Sequence, residues 1–233
     1  STSSAGGSGG AVHITGNLNA SNSMLNQNTA SNAGGGIWAD GDISLTDTNV
    51  DSNSAGGDGG AIYITGELNA SNSILNQNTA SNAGGGIWIS GDISLSYCLV
   101  YSNQSGNVGG GIRVSGTIGA NNSSISYNTG ASGGGIYLSG EGTLQTVTLD
   151  NNSSGGDGGG AYVDGDLWAQ HTTFNSNTSS SWGGGIWSTG TIQLDSSFVN
   201  LNVSGNHGGG IYGDGTMDIT FTEINDNTNE ADG

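Results

Sequence analysis
The sequence offers little to acid–base or nucleophilic chemistry. Its titratable inventory is one basic residue, Arg113, set against 19 acidic side chains, three histidines and the single cysteine Cys98. A polysaccharide hydrolase needs carboxylates that converge in a cleft, and a lyase needs a base beside calcium-binding acids. Arg113 is the one candidate base, and no spacing joins His13, His171, His207 and Cys98 into a triad or a metal-ligand set. Three acids look more ordered: Asp42, Glu67 and Asp92 stand 25 residues apart. What they could do depends on what else repeats at that interval.

The interval runs through the chain. Residues 67–92 (ELNASNSILNQNTASNAGGGIWISGD) nearly copy residues 17–42 (NLNASNSMLNQNTASNAGGGIWADGD). A glycine recurs at Gly10, Gly35, Gly60, Gly85, Gly110, Gly134, Gly159, Gly184 and Gly209, a spacing of 25 residues with a single 24. Counting from this glycine as position 0, the residue before it and position 6 are also glycine in all nine coils. Glycine at fixed phase marks corners where the backbone turns left-handed or approaches the next layer closely.

Between these corners apolar residues alternate with polar ones. Positions 2 and 4 (Ile62, Ile64), 8 and 10 (Ile43, Leu45) and 15 (Leu75, Val100, Phe174) form the apolar columns. A spacing of two is the strand period, with alternate side chains on one face. A unit this short cannot bury its apolar face alone, but stacked on copies of itself it forms a continuous core. The sequence therefore predicts an all-β fold: a single right-handed parallel β-helix over residues 1–233, with about nine 25-residue coils and three short strands per coil. At the strand spacing of roughly 4.8 Å such a stack is about 43 Å long. The 47 glycines and 9% charged residues alone would suit a disordered chain; the alternation argues against that.

The corner signature (Gly60-Ala61-Ile62, Gly85-Gly86-Ile87) and an apolar residue three places before an asparagine, as in FNSN from Phe174 to Asn177, resemble the repeats of the chlamydial polymorphic outer-membrane proteins. Similar repeats occur in large bacterial and archaeal surface proteins that look like right-handed parallel β-helices of the pectin-lyase type. The resemblance covers essentially the whole chain and implies roles among adhesins, passenger domains and surface fibres. The chain departs from it in two ways: no β-barrel translocator is read in the sequence, and the family's phenylalanine stands in its column only at Phe174.

Four columns carry the functional expectations. Position 18 is asparagine throughout (Asn28, Asn53, Asn78, Asn103, Asn128, Asn152, Asn177, Asn202 and Asn227), which predicts a structural ladder of amides bonded from layer to layer. Position 3 holds Trp38, Tyr63, Trp88, Tyr137, Tyr162, Trp187 and Tyr212, with His13 and Arg113 in the remaining places. An aromatic stripe of this length reads as a contact surface for a neighbouring chain or for glycan rings, or as a local cover over the small corner residues. Arg113 in this stripe reads as a cation packed on aromatic rings. At position 7, Asp42, Glu67 and Asp92 form either a calcium site completed by backbone carbonyls or a solvated acidic edge that discourages lateral aggregation. Cys98, in a column of Ser, Thr and Val, reads as a small buried residue, while Asn19 and Asn69 open outward-facing glycosylation sequons.

A net charge of -18 disfavours nucleic acid and anionic membranes as partners. No apolar run is long enough to insert in a bilayer, and no charged leader precedes an apolar stretch, as in a mature form or an excised piece. The first residues, STSSAGGSGG, match 51–60, and Gly233 falls just before the next position 0, so no separate cap is read at either end. Open ends suit either a window of a longer solenoid or a subunit that stacks head to tail or by strand donation. The expectation is a non-enzymatic extracellular or cell-surface protein, the subunit of a self-assembling fibre whose partners are copies of itself, with no cofactor beyond calcium. The alternative is an adhesin that binds surface glycans, and a polysaccharide-active enzyme comes third.

Overall fold
A computed structural model describes residues 3–231; the expected continuation of the last coil to Gly233 lies outside the described residues. The coil that begins at Gly60 shows how the pattern folds. Its strands are Ile62–Ile64, Leu68–Ser71, Ile74–Asn76 and Thr79–Ala80. Ile62, Ile64, Leu68, Ala70, Leu75 and Ala80 point inward and are buried, while the alternate residues within the strands reach the surface. The β-branched side chains fit a pleated face of this kind.

Each strand pairs with its equivalents in the coils before and after, always in parallel and at the repeat spacing, as in Ile62 with Ile37 and Ile87. The result is four parallel sheets, one of ten strands and three of nine, wound as a right-handed solenoid of about nine coils. The inward columns merge into one core, where Phe174 is the largest fully buried side chain and is stacked between Leu149 and Val199. Among the described residues no helix is long and apolar enough to cross a membrane.

Two features correct the sequence-based picture. First, each coil has four strands, not three. The additional strand follows the asparagine and is only two residues long in most coils; its single inward residue is small (Ala55, Ala80, Ser105, Ser154) and leaves no apolar periodicity. Second, glycine supplies only one of the three left-handed corners in each coil. Gly59 does so at φ 66°, but positions 12 and 17 are left-handed with ordinary residues at φ 46° to 59°, including Tyr97, Thr146, His171, Leu201 and Phe221. The glycine at position 0 meets a different demand, close approach: a Cβ on Gly60 would lie 2.7 Å from the backbone of Thr79 and would run into the carbonyl of Gly85.

The short coil loses its residue in the turn between Gly130 and Gly133. The asparagine columns on either side stay in register, with Asn128 Nδ2 donating to Asn152 Oδ1 at 3.0 Å.

Candidate functional site
The asparagine column is saturated. Asn78 Oδ1 accepts from both the backbone N–H (2.9 Å) and Nδ2 (3.0 Å) of Asn53. Asn78 Nδ2 in turn donates to Asn103 Oδ1 at 2.9 Å and to the Val50 carbonyl, 28 residues earlier, at 2.9 Å. The pattern repeats along the column, through Asn202 donating to Phe174 O and Asn227 Oδ1. Asn53 through Asn202 are at most 1% exposed. Their amide groups are spent on the fold, with none left for a ligand.

The position-3 rings stack on one another with their planes across the rod axis. His13, Trp38, Tyr63 and Trp88 follow at centroid distances of 4.2, 6.2 and 4.3 Å, with planes 4° to 6° apart. Arg113 closes this block with its guanidinium 5.2 Å from the Trp88 ring, and its Nη1 donates to Ser115 Oγ. Tyr137, Tyr162 and Trp187 form a second block at 4.6 and 4.1 Å. Tyr212 leaves the stack and lies against Trp182 instead, at 5.0 Å. The internal rings cover one another's faces and present edges outward. Burial pushes the Tyr162 phenol up to about 12, with Tyr137, Asp164 and Asp157 adding to the effect. Burial also raises Tyr63, aided by Asp58 and Asp40 and opposed by Arg113.

Asp42, Glu67 and Asp92 are not gathered as metal ligands. Asp42 Oδ1 accepts the Glu67 backbone N–H at 2.9 Å, and Asp92 Oδ1 accepts that of Thr117 at 2.7 Å. Asn17 performs the same task for Asp42, and Asp166 for Thr191. The Thr117 backbone hydrogen bond holds the Asp92 carboxyl below its ordinary range. The acids point to the next coil's amide because the preceding glycine leaves room: a Cβ on Gly66 would lie 2.6 Å from Asp42 Oδ1. Among the described residues no group of three or more His, Cys, Asp or Glu is arranged to hold a metal ion.

The other reactive groups are dispersed. Cys98 is fully buried, its backbone N–H donates to Ser123 Oγ at 3.0 Å, and burial pushes its thiol up. His171 sits in a left-handed turn and His207 against Trp182. Neither stands beside Cys98 or Arg113.

Sequence reasoning missed Trp168. It occupies position 9, on the outer face of Leu167–Gln170, between Thr143 of the coil before and Gln193 of the coil after. It is 38% exposed and flanked by two clefts of about 280 and 320 Å³. The available signal was a lone indole in an outward column that is otherwise small or polar.

The turn from an apolar strand through the ladder asparagine to the glycine corner carries the comparison with known proteins. Residues 47–65 and 171–189 match the Chlamydia polymorphic membrane protein repeat. Two segments of the chain, 38 of its 233 residues, are thus similar to that repeat. The matched segments contain Val50 to Asn53 with Gly59 to Ile62, and Phe174 to Asn177 with Gly183 to Ile186. In this chain the matched segments span the ladder amide, the short fourth strand and the left-handed glycine just before the next coil. The repeat is one of surface-exposed, outer-membrane-associated proteins with a β-helix, a structural and adhesin-type family. No curated protein and no solved structure matches the chain.

Proposed function
We propose that the chain is a non-enzymatic structural solenoid of the cell surface or extracellular space, and that it builds fibres by end-to-end stacking on copies of itself. The observation that carries this reading is the constant register from coil to coil: Ile62 pairs with both Ile37 and Ile87, and Asn78 accepts from Asn53 while donating to Asn103. A coil of a second copy would offer the same columns and the same strand edges.

The dispersal of Arg113, Cys98 and the histidines supports a function spread over length and surface. The mutual coverage of the position-3 rings weighs against glycan stacking on that stripe, since a sugar packs on a ring face and those faces are occupied. That leaves the stripe as packing that stiffens the rod and as an edge for neighbouring chains. At Asp42 and Asp92 one carboxylate oxygen is already bonded to the next coil's amide, which leaves a calcium ion only the second oxygen of each.

Electron microscopy of the purified chain across a dilution series, with and without a chelator, tests the reading. Filaments with an axial repeat of about 43 Å are expected, one subunit of nine stacked coils. Short separate rods at every concentration would overturn self-assembly, and loss of filaments on chelation would restore calcium to the joints.

A further inference from the structure
Trp168 differs from the other tryptophan side chains whose ring contacts define the stripe. It stands on a different sheet from the stripe, and the residues before and after it in its column are Thr143 and Gln193 rather than further rings. No ring stacks on it among the described residues, and a cleft lies on each side. An indole that is 38% exposed, with polar neighbours in its column and no ring stacked on it, is a platform for a flat, partly apolar partner.

The groups around the platform select the partner's chemistry. The first cleft is bordered by Glu141 and Asp166 at position 7, with Thr143 and Gln193 flanking the ring. Glu141, Thr143 and Gln193 make no side-chain hydrogen bond among the described residues, and Asp166 commits only Oδ1, to the Thr191 N–H at 2.7 Å. The cleft therefore offers free carboxylate acceptors, one amide that both donates and accepts, and the hydroxyls of Thr143 and Thr191. Across the ring, Asp218 is also uncommitted. A partner must bring several hydroxyl donors and a C–H face, and it must carry no negative charge, since the chain has 19 acids and no lysine to compensate them.

We propose that the Trp168 shelf binds a neutral glycan. One sugar ring packs on the indole, its hydroxyls donate to Glu141 and the free Asp166 oxygen, and Gln193 holds the neighbouring unit across the coil boundary. The clefts match the lower end of the small-molecule range, about 300 Å³, and they are open to the surface, as binding within a longer glycan requires. The proposal does not depend on fibre assembly. It transfers glycan recognition from the stacked stripe to the indole that no other ring covers.

The test is calorimetric titration of the full chain with neutral hexasaccharides (cellohexaose, mannohexaose, chitohexaose), with hexagalacturonate and hexalysine as charged probes. At least one neutral hexasaccharide is expected to bind, more than tenfold more weakly to Trp168→Ala and near wild-type strength to Trp168→Phe. Hexagalacturonate is expected not to bind. The side chain is outward, and an unchanged circular dichroism melt shows that the variant is folded. Absence of binding to every neutral hexasaccharide, equal binding by Trp168→Ala, or binding of hexalysine in preference to the sugars would each overturn the proposal. Filaments that bind no sugar would refute this site while leaving the fibre reading intact.

Discussion

Asn78 Oδ1 receives two hydrogen bonds from one residue, the backbone N–H and the side-chain Nδ2 of Asn53. This bifurcated acceptor turns a single side chain into a clamp on both the main chain and the side chain of its neighbour. Repeated along the rod, it satisfies polar groups inside a turn that has no room for water.

The middle of the column should therefore be unforgiving. Asn103→Ala strands the backbone N–H of Asn78 and one of the two Nδ2 hydrogens as donors, and the Leu75 carbonyl as an acceptor. With buried orphans costing about 1–3 kcal/mol apiece, a loss of about 3–5 kcal/mol is expected from denaturant unfolding. Asn227→Ala, at a partly exposed rung, should cost about 1 kcal/mol. Equal losses at the two sites would show that the clamp is not cooperative with burial.

Thr146 holds a left-handed backbone at φ 56° on a β-branched residue, where the same column elsewhere has Asn22, Asn72 and Asn122. Asparagine tolerates this region and threonine resists it. Thr146→Asn should stabilise the chain by about 1 kcal/mol and raise the melting temperature. The reverse change, Asn122→Val, should lower it by a similar amount, and a melt insensitive to both would mean the turn relaxes freely.

Acid should weaken the rod partly through Asp92. Its folded pKa lies below the ordinary value because the ionised carboxylate accepts the Thr117 N–H. A depressed pKa contributes stability that is present above the unfolded value, about 4, and is lost as pH falls through the folded one. Asp92→Asn keeps the acceptor, as Asn17 already does in the first coil, and removes the titration. Its melting temperature should drop less than that of the wild type between about pH 6 and about pH 2.5, and identical drops would remove Asp92 from the acid response.

The coil was legible in the sequence because each inward column is sampled in layer after layer, so Ile62, Leu68 and Leu75 need no individual interpretation. The fourth strand was not, because Ala80 and Ser105 carry no hydrophobic signal; they are small because that side of the cavity is narrow. The left-handed corners at Tyr97, His171 and Phe221 were hidden by residue types that avoid such geometry, held there by the strands on both sides. Asp42 and Asp92 were open to a metal-site reading because a side chain bonded to backbone looks, in sequence, like one waiting for a cation. Trp168 escaped notice because a search for columns discounts the residue that breaks one.

Along the asparagine column each backbone N–H donates to the Oδ1 of the next higher-numbered coil, never to that of the lower. The column consequently has a sense of direction, like an arrow. A coil laid against it in the reverse sense would set hydrogen against hydrogen or lone pair against lone pair, so whatever continues the column runs one way.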